Sequence, residues 1–358
     1  MNRLKRMGPA RAVVFFAVLA ALPSMNLAHW VLNMLVFTLM YAVMSSAWNL
    51  VGGMAGYPSL GHAAFFGIGA YTVGIWFQHH GIHSGYEPFL ILPFVGLAAA
   101  LVGIPVAAIS MRTRSDVFAI VTITLLFVVQ TLAFNLRSLT GGAQGISIPA
   151  APFSTATYER PFYDVLLVLL AVAMGLTWGA MRSKIGLSLA AVRADEDKAV
   201  GIGVRVQGVK LLAFAVSVGL TAMVGGLWAY YEGFVYPQFA VDPLITIAIV
   251  LMTFLGGRGT VWGPVLGAFI LELAQQYFAY SLGGSQFYLI AYALVFLVVM
   301  LLMPRGIVPS IQERLRMRRR RRAAAAPPAE DSGPPGLPSP HPVTAAAGLG
   351  AASGQGGH

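Results

Sequence analysis

The side chains in this sequence that could support chemistry are few and widely separated. The densest group is His79, His80 and His83, whose nearest carboxylate along the chain is Glu87. The H-E-x-x-H pattern of zinc enzymes is absent. The chain also has no cysteine, so neither disulfides nor thiolate ligands are available. We therefore expect no metal site.

Carboxylates within apolar segments form the second candidate group, which consists of Asp164, Glu232 and Glu272. Proton-coupled transporters place carboxylates along their pathway, so this small number disfavours an ion-coupled secondary transporter. No catalytic constellation for an intramembrane enzyme is found, which predicts a protein that is not an enzyme. The G-x-x-x-x-G-K-[ST] phosphate loop is also missing, so the chain is not expected to bind ATP itself.

The elements that must position these residues are apolar and long. Hydrophobic residues make up 57% of the 358, and charged residues only 10%, against about 25% in soluble domains. A membrane helix needs about 20 apolar residues. The sequence therefore predicts an all-α polytopic membrane protein with about ten spans, eight or nine if a short one is re-entrant: 12–28, 30–50, 61–77, 88–110, 117–136, 162–181, 211–231, 243–255, 263–281 and 286–303.

The distribution of basic residues predicts the orientation. With the N-terminus in the cytoplasm, all of the 23 Lys and Arg residues except Arg137 and Arg160 fall on the cytoplasmic side. This asymmetry follows the positive-inside rule. It assigns the net charge of +10 to membrane topology and predicts no nucleic-acid partner.

The two ends of the chain differ from its centre. Residues 1–29 form a basic start and a first apolar segment, which resembles a signal peptide; we favour its retention, because no clear Ala-x-Ala site precedes His29. The permease-like core is expected over 30–310. Residues 311–358 combine an arginine run, Arg318 to Arg322, with an Ala/Pro/Gly-rich tail. The run suits anchoring to anionic lipid, and the tail composition predicts disorder.

The cytoplasmic loop 182–210 contains a candidate docking element. Asp195 is a plausible N-cap, with Glu196 and Asp197 in the first helical turn, where the helix dipole favours acids. Ala199, Val200 and Ile202 would supply an apolar face, and Gly203 can end the helix in left-handed geometry. Such a helix suits a partner's groove, although a solvated loop lying on the lipid headgroups remains the alternative.

Five motifs occur in an order that resembles a known family. They are "SLGHAAFFGIGAY" (59–71), "LTGGAQGI" (139–146), "GLSLAAVRADEDKAVGIGV" (186–204), "KLLAFAVS" (210–217) and "FLGGRGTVWGPVLGAF" (254–269). Together they are similar to the membrane permease of branched-chain amino acid ABC importers, the Liv-type M subunit. The chain departs from the family at Leu187 and Ala190, where basic residues are usual, and at Tyr57-Pro58, where many relatives have Gln-Leu.

The resemblance implies the partners and their mechanism. An inner-membrane permease of this family would pair with a second homologous permease, two ATP-binding cassette ATPases and an extracytoplasmic binding protein. It binds no cofactor itself, and its partners use ATP. The alternative within the superfamily is a urea or short-chain amide permease. The ATPases would contact the coupling loop, at Gly186, Leu189, Arg193, Asp195, Glu196, Asp197, Ala199, Val200, Ile202 and Gly203.

The remaining candidates concern the pathway and its packing. Ser59, His62, Gln144 and Glu272 are candidate pathway residues. For His62 a structural hydrogen bond is favoured, Gln144 could instead cap a helix end, and Glu272 could instead bond a neighbouring helix. Small residues let membrane helices approach closely, and breaks are tolerated where they face protein. We therefore predict tight packing or helix breaks at Gly56, Pro58, Gly61, Gly67, Gly69, Gly256, Gly257, Gly263 and Pro264.

Overall fold

The computed structural model describes residues 2–25, 27–112, 115–281 and 306–310, together with the single positions 294, 297 and 317. In this part the chain is almost entirely helical. The helices are α1 (Asn2–Ala21), α2 (His29–Trp48), α3 (His62–His80), α4 (Glu87–Ser110), α5 (Ser115–Asn135), α6 (Arg137–Thr140), α7 (Glu159–Arg182), α8 (Lys184–Ala194), α9 (Glu196–Gly201), α10 (Val206–Glu232), α11 (Pro237–Ala240), α12 (Pro243–Gly256) and α13 (Gly263–Ser281).

Each predicted span up to residue 281 coincides with one of these helices. In the described part, six stretches are long and apolar enough to cross a membrane: His29–Ala55, Glu87–Ser110, Ser115–Asn135, Thr155–Arg182, Val206–Glu232 and Pro237–Gly256. The predicted span 286–303 and the tail after residue 317 lie outside the described residues. The count of ten spans therefore stays a prediction, while the helical membrane architecture is confirmed.

Two short strands accompany the helical architecture. Two short strands, β1 (Ile146–Ser147) and β2 (Phe234–Val235), pair antiparallel with Ile146 opposite Val235. They join the segment after α6 to the end of α10. The sequence "GISIP" is too short to show the period-two alternation that indicates a strand, so this pair was not predictable from the pattern.

The centre of the bundle is the contact between α3 and α10, the most extensive helix pair in the described chain. A Cβ atom built on Gly69 would lie 2.0 Å from the carbonyl oxygen of Ala222, and one on Gly225 would lie 2.0 Å from that of Phe66. Only glycine allows two backbones to approach this closely. The predicted close packing at Gly69 is confirmed.

The other two glycines of the same motif face different neighbours. A Cβ on Gly61 would lie 2.5 Å from the carbonyl oxygen of Thr122 in α5, and one on Gly67 would lie 2.4 Å from Val241 Cγ2. The predicted close packing of Gly61 and Gly67 is thus confirmed as well. Together the glycines place α3 against three parts of the bundle.

The first helix packs against the body of the protein. The ring of Phe15 makes edge contacts with the rings of Trp262 and Phe269, at centroid distances of 5.2 and 6.1 Å. The Tyr163 hydroxyl of α7 donates a hydrogen bond of 2.8 Å to the Leu19 carbonyl. Helix α1 therefore contributes to the packing of both α7 and α13.

Candidate coupling site

The loop between α7 and α10 folds into two short helices separated by one extended residue. Asp195 is that residue, and its side chain accepts a hydrogen bond of 3.1 Å from the Lys198 amide, as an N-cap does. Lys198 Nζ also lies 2.9 Å from Asp195 Oδ2. These bonds lower the pKa of Asp195 and raise that of Lys198. Gly203 has φ of 82°, so the predicted cap and left-handed stop are both confirmed.

The inner face of the two helices is fixed by burial. Leu189, Val192 and Ala199 are buried, and a Cβ on Gly186 would lie 2.1 Å from the Ala180 carbonyl oxygen. Glycine at 186 therefore allows α8 to turn back against the end of α7. The loop is folded onto the bundle, which disagrees with the alternative of a solvated loop on the headgroups.

The prediction of an apolar face on α9 is wrong for one of its three residues, Ala199. Ala199 is only 1% exposed and belongs to the inner packing, whereas Val200 is 58% and Ile202 76% exposed. Leu187, on α8, is 72% exposed. Alanine was grouped with its neighbours because a six-residue helix is too short for the helical period to separate inner from outer positions. The exposed apolar side chains of the two loop helices include Leu187, Val200 and Ile202.

Arg193 joins the loop to two helix breaks. Its guanidinium Nη1 donates a hydrogen bond of 2.6 Å to the Gly53 carbonyl, and a Cβ on Gly259 would lie 2.7 Å from the same nitrogen. Burial, and secondarily the charge of Arg258, lowers the pKa of Arg193. Even so, an arginine side chain stays charged at neutral pH.

The first break contains a π-helical segment, Asn49–Ala55, that ends at Gly56 with φ of 77°. Left-handed backbone of this kind is typical of glycine at a helix end. Tyr57 and Pro58 follow before α3 begins at His62. The predicted break at Gly56 and Pro58 is therefore present.

The second break separates α12 from α13. A Cβ on Gly256 would lie 1.6 Å from the Gly263 carbonyl oxygen, and Gly257 has φ of 122°. Pro264 is buried in the first turn of α13, where proline fits because no amide donor is needed. The chain can double back here only because both close positions lack a side chain.

The two breaks are bonded to each other. Asn49 Oδ1 accepts a 2.7 Å hydrogen bond from the Gly259 amide, and its Nδ2 donates a 2.9 Å bond to the Thr260 carbonyl. Arg193 of the coupling loop bonds Gly53 in the first break and lies beside Gly259 in the second. The loop and the two breaks therefore meet at this point.

A second connection to the bundle centres on Lys210, the one Lys or Arg that is fully buried in the described part of the chain. Its Nζ donates hydrogen bonds of 2.8 Å to Glu196 Oε1 and 2.8 Å to the Met111 carbonyl. The same ammonium lies 4.1 Å from the centroid of the Tyr57 ring, a cation–π contact. The Tyr57 hydroxyl bonds the other oxygen of Glu196. We call Lys210, Glu196 and Tyr57 the Lys210 cluster.

The contacts within the Lys210 cluster set the pKa values of Glu196 and Tyr57. Burial alone would raise the pKa of Glu196, but the hydrogen bonds from Lys210 and Tyr57 and the charge of Lys210 together lower it. Burial and the bond to Glu196 raise the pKa of Tyr57, so its hydroxyl keeps the proton that it donates. Lys210 is fully buried whereas the Glu196 side chain is 37% exposed, so loss of Glu196 would leave a buried ammonium with only the Met111 carbonyl and the Tyr57 ring as partners.

The candidate pathway residues Ser59 and His62 lie inside a closed hydrogen-bond network. His62 is fully buried, with Nε2 2.7 Å from Ser217 Oγ and Nδ1 3.1 Å from Ser59 Oγ. The Ser217 hydroxyl donates to the Ala47 carbonyl at 2.7 Å, so Ser217 accepts from His62. The histidine thus ties α2, α3 and α10 together, as the structural interpretation predicts.

The other two pathway candidates are separated from this network. Gln144 is exposed in the loop before β1. Glu272 is 1% exposed in α13; its Oε1 accepts a 2.9 Å hydrogen bond from Gln276, and its Oε2 has no partner among the described residues. The bond to Gln276 is within α13, not to a neighbouring helix.

The outer histidines, His79, His80 and His83, lie at the end of α3 and just beyond it. Helix α3 ends at His80, whose ring stacks on Trp76, and Gly81 has φ of 72°. His79 and His83 therefore do not share a helical face. Within the described ranges no group of three or more His, Asp or Glu side chains could hold a metal ion.

A family model described as the branched-chain amino acid transport system permease component matches residues 30–303. The chain belongs to this family. It is a multi-pass membrane permease and a subunit of an ABC importer, not an enzyme.

Individual relatives agree with the family assignment. This permease is 27% identical over 342 residues to the high-affinity branched-chain amino acid transport system permease protein LivM of Escherichia coli K12, covering 86% of this chain and 76% of that protein. LivH of the same organism is 22% identical, covering 76% and 93%. The ribose import permease protein RbsC of Haemophilus influenzae is 24% identical, covering 60% and 68%. No solved structure matches the permease significantly.

Sequence reasoning missed Lys210 and Tyr57 as site residues of the permease. Lys210 was assigned to the cytoplasmic positive charge, although it directly precedes the apolar run "LLAFAV". A lysine that directly precedes an apolar run signals a cation that either extends to water at the helix end or needs a buried partner. Its partner Met111 is 99 residues away and carries no comparable signal, and the acidic first turn that contains Glu196 does not indicate which cation it meets.

Proposed function

We propose that this permease moves a branched-chain or related amino acid across the cytoplasmic membrane, as part of an importer driven by ATP hydrolysis on separate subunits. Its partners would be a second homologous permease, two ATP-binding cassette ATPases and an extracytoplasmic substrate-binding protein. No cofactor is bound by this chain. The names of the relatives LivM and LivH support the substrate class.

The observation that carries the coupling role is the position of Arg193. This residue lies in the loop that would contact an ATPase, and its guanidinium bonds the break at Gly53 while touching the break at Gly259. A displacement of α8 and α9 would therefore reach both interrupted helices directly. The apolar side chains of Leu187, Val200 and Ile202 provide the outward surface on which an ATPase could dock.

The proposed orientation places both termini and this loop in the cytoplasm. Contacts at one end of the bundle support it, since Ser115 Oγ donates to the Gly56 carbonyl and Lys210 to the Met111 carbonyl. The opposite end holds the His29–Glu159 and Tyr231–Asn33 contacts. The basic loop segments thus gather at one end. The arginine run 318–322 would bind anionic lipid on the same side.

Glu272 is our candidate for the residue that binds the substrate's ammonium group. A buried carboxylate with one oxygen free of partners in the described chain suits a positively charged group. Replacing Glu272 with Gln should raise the half-saturation concentration for uptake while ATP hydrolysis persists. Unchanged uptake by a normally assembled variant would leave Glu272 a packing residue.

The substrate assignment is tested on the complete transporter in proteoliposomes. Radiolabelled leucine, isoleucine and valine are supplied outside with the cognate binding protein, and ATP inside. We expect ATP-dependent accumulation that unlabelled valine inhibits and urea does not. Accumulation of urea or acetamide without amino acid uptake would replace this proposal with the amide permease. Uptake that needs an ion gradient and no ATP would refute the ABC mechanism.

A further inference from the structure

The Lys210 cluster joins four segments of the chain. Glu196 is in the first turn of α9, Lys210 lies in the first turns of α10, Tyr57 is in the first helix break, and the Met111 carbonyl follows the end of α4. Every polar atom that Lys210 presents to the interior meets one of these groups. The cluster is therefore a fixed point between the loop and the bundle.

We propose that the Lys210 cluster transmits the movement of α9 to the bundle, so that Tyr57, Glu196 and Lys210 are positioning residues for transport. This inference rests on the coupling role proposed above and adds the residues that carry it. A buried ammonium cannot leave its carboxylate without losing its charge partner. A movement of α9 therefore has to take the start of α10 with it.

Helix α10 carries the movement to the centre of the bundle. Ser217 lies seven residues after Lys210, two helical turns along the same face. There Ser217 donates to the Ala47 carbonyl of α2 and accepts from His62 of α3. The close glycine contacts between α3 and α10 begin one turn further on, at Ala222 and Gly225. One rigid helix thus connects the ion pair to the helices that meet in the core.

Arg193 and the cluster act on the loop at different points. Arg193 holds the end of α8 against Gly53, whereas Glu196 holds the start of α9 against Lys210 and Tyr57. The two contacts are separated by the single extended residue Asp195 together with Ala194. Loss of the cluster should therefore leave the apolar docking surface and the Arg193 contact in place while α9 becomes free to move on its own.

The test compares Tyr57→Phe and Glu196→Gln with the wild type in the full transporter. Tyr57→Phe keeps the ring under the ammonium and removes only the bond to Glu196, so it is the milder change. Matched controls are Tyr86→Phe, an exposed tyrosine of the outer loop, and Asp116→Asn, an exposed carboxylate at the start of α5. For each protein we measure co-purification of the ATPases, ATP hydrolysis and uptake.

We expect Tyr57→Phe to retain the ATPases and to hydrolyse ATP within about twofold of the wild-type rate; Glu196→Gln is compared at equal ATPase occupancy, because Glu196 also lies in the loop expected to contact the ATPases. Uptake per ATP hydrolysed should fall about tenfold in Glu196→Gln and less in Tyr57→Phe, with no change in the controls. Trypsin should cleave more rapidly after Lys198 and Arg205 in the variants, because α9 is no longer held.

Faster cleavage with an unchanged ratio of uptake to hydrolysis would show that the cluster only stabilises the loop, and would overturn the proposal. If Glu196→Gln fails to assemble, the ratio in Tyr57→Phe decides. The wild-type measurement separates this result from the proposed function, since a wild-type complex that lacks ATP-driven amino acid uptake would refute that function whatever the variants do.

Discussion

Replacing Ile202 with Glu should separate this permease from its ATPases without unfolding it. Ile202 is 76% exposed at the end of α9, so a glutamate there stays solvated in the isolated subunit. Surface substitutions of this kind usually change stability by about 0.5 kcal/mol or less. Any large effect must therefore arise where a partner covers the side chain.

The size of the effect follows from the exposed surface. Complete burial of an isoleucine side chain contributes roughly 1.5–3 kcal/mol, and most of that surface is still available on Ile202. Truncation to Ala should therefore weaken docking by about 2 kcal/mol, close to thirtyfold. Glutamate loses the same contact and adds several kcal/mol for an unpaired buried charge. A total of at least about 4 kcal/mol corresponds to a nearly thousandfold loss of affinity.

Affinity is measured by titrating the purified ATPase onto the permease in detergent or nanodiscs, with thermal unfolding of the permease as the check on folding. Gln207→Glu is the matched control, because Gln207 is exposed five residues further along and also gains one negative charge. We expect the control to bind normally, Ile202→Ala to bind more weakly and Ile202→Glu to bind undetectably. Normal ATPase binding and uptake by Ile202→Glu would refute α9 as the docking element.

Four further predictions test the rest of the structure. Arg193→Ala should reduce uptake about tenfold, since a hydrogen bond from a charged group contributes roughly 1.5–3 kcal/mol. Replacing the exposed Arg205 with Ala should leave uptake near the wild-type rate. Equal losses of uptake in the two variants would count against a role for the Arg193–Gly53 contact. Gly69→Ala should lower the unfolding temperature, because its Cβ would lie 2.0 Å from the Ala222 carbonyl oxygen, and Gly175→Ala should not, because nothing lies within 4 Å there. The pKa of Glu196 is lowered in the folded state, so its contribution to folding stability is complete above its unfolded pKa of about 4.3 and is lost as the pH falls through the folded pKa. Glu196→Gln should therefore lose less stability on acidification than the wild type does. Parallel curves of stability against pH for the two proteins would contradict this. Gln207→Cys should react with an impermeant maleimide only from the cytoplasmic side and Ser154→Cys only from outside, in a chain with no native cysteine; the reverse pattern would invert the orientation.

Local patterns predicted the parts of the site that depend on neighbours in sequence. The cap at Asp195 and the stop at Gly203 follow from residues within one helical turn, and the glycines of α3 indicate close packing without naming the partner helix. Arg193 shows the limit of this reasoning. An arginine in a charged loop is expected at the rim of an interface, but its acceptor, Gly53, is 140 residues away and is a backbone carbonyl that any sequence could supply.

The same limit explains the Lys210 cluster and the division of α9. Burial of Lys210 depends on where α4 ends and on the conformation of the first break, neither of which is visible in the charge pattern. The inward position of Ala199 depends on the angle at which α9 leaves Asp195. Helix positions were predictable because the apolar spans are long, whereas contacts between distant segments required the folded chain.

The hydrogen bonds around His62 all run in one direction. The Ser59 hydroxyl donates a hydrogen bond to Nδ1, Nε2–H donates to the Ser217 hydroxyl, and the Ser217 hydroxyl donates to the Ala47 carbonyl. A proton wire needs a final group that can accept a proton and release it onward, and the amide carbonyl of Ala47 does not do this. The row of polar groups at the start of α3 therefore resembles a relay but ends at the Ala47 carbonyl. A membrane histidine placed in this way adds no proton leak to a transporter whose energy comes from ATP.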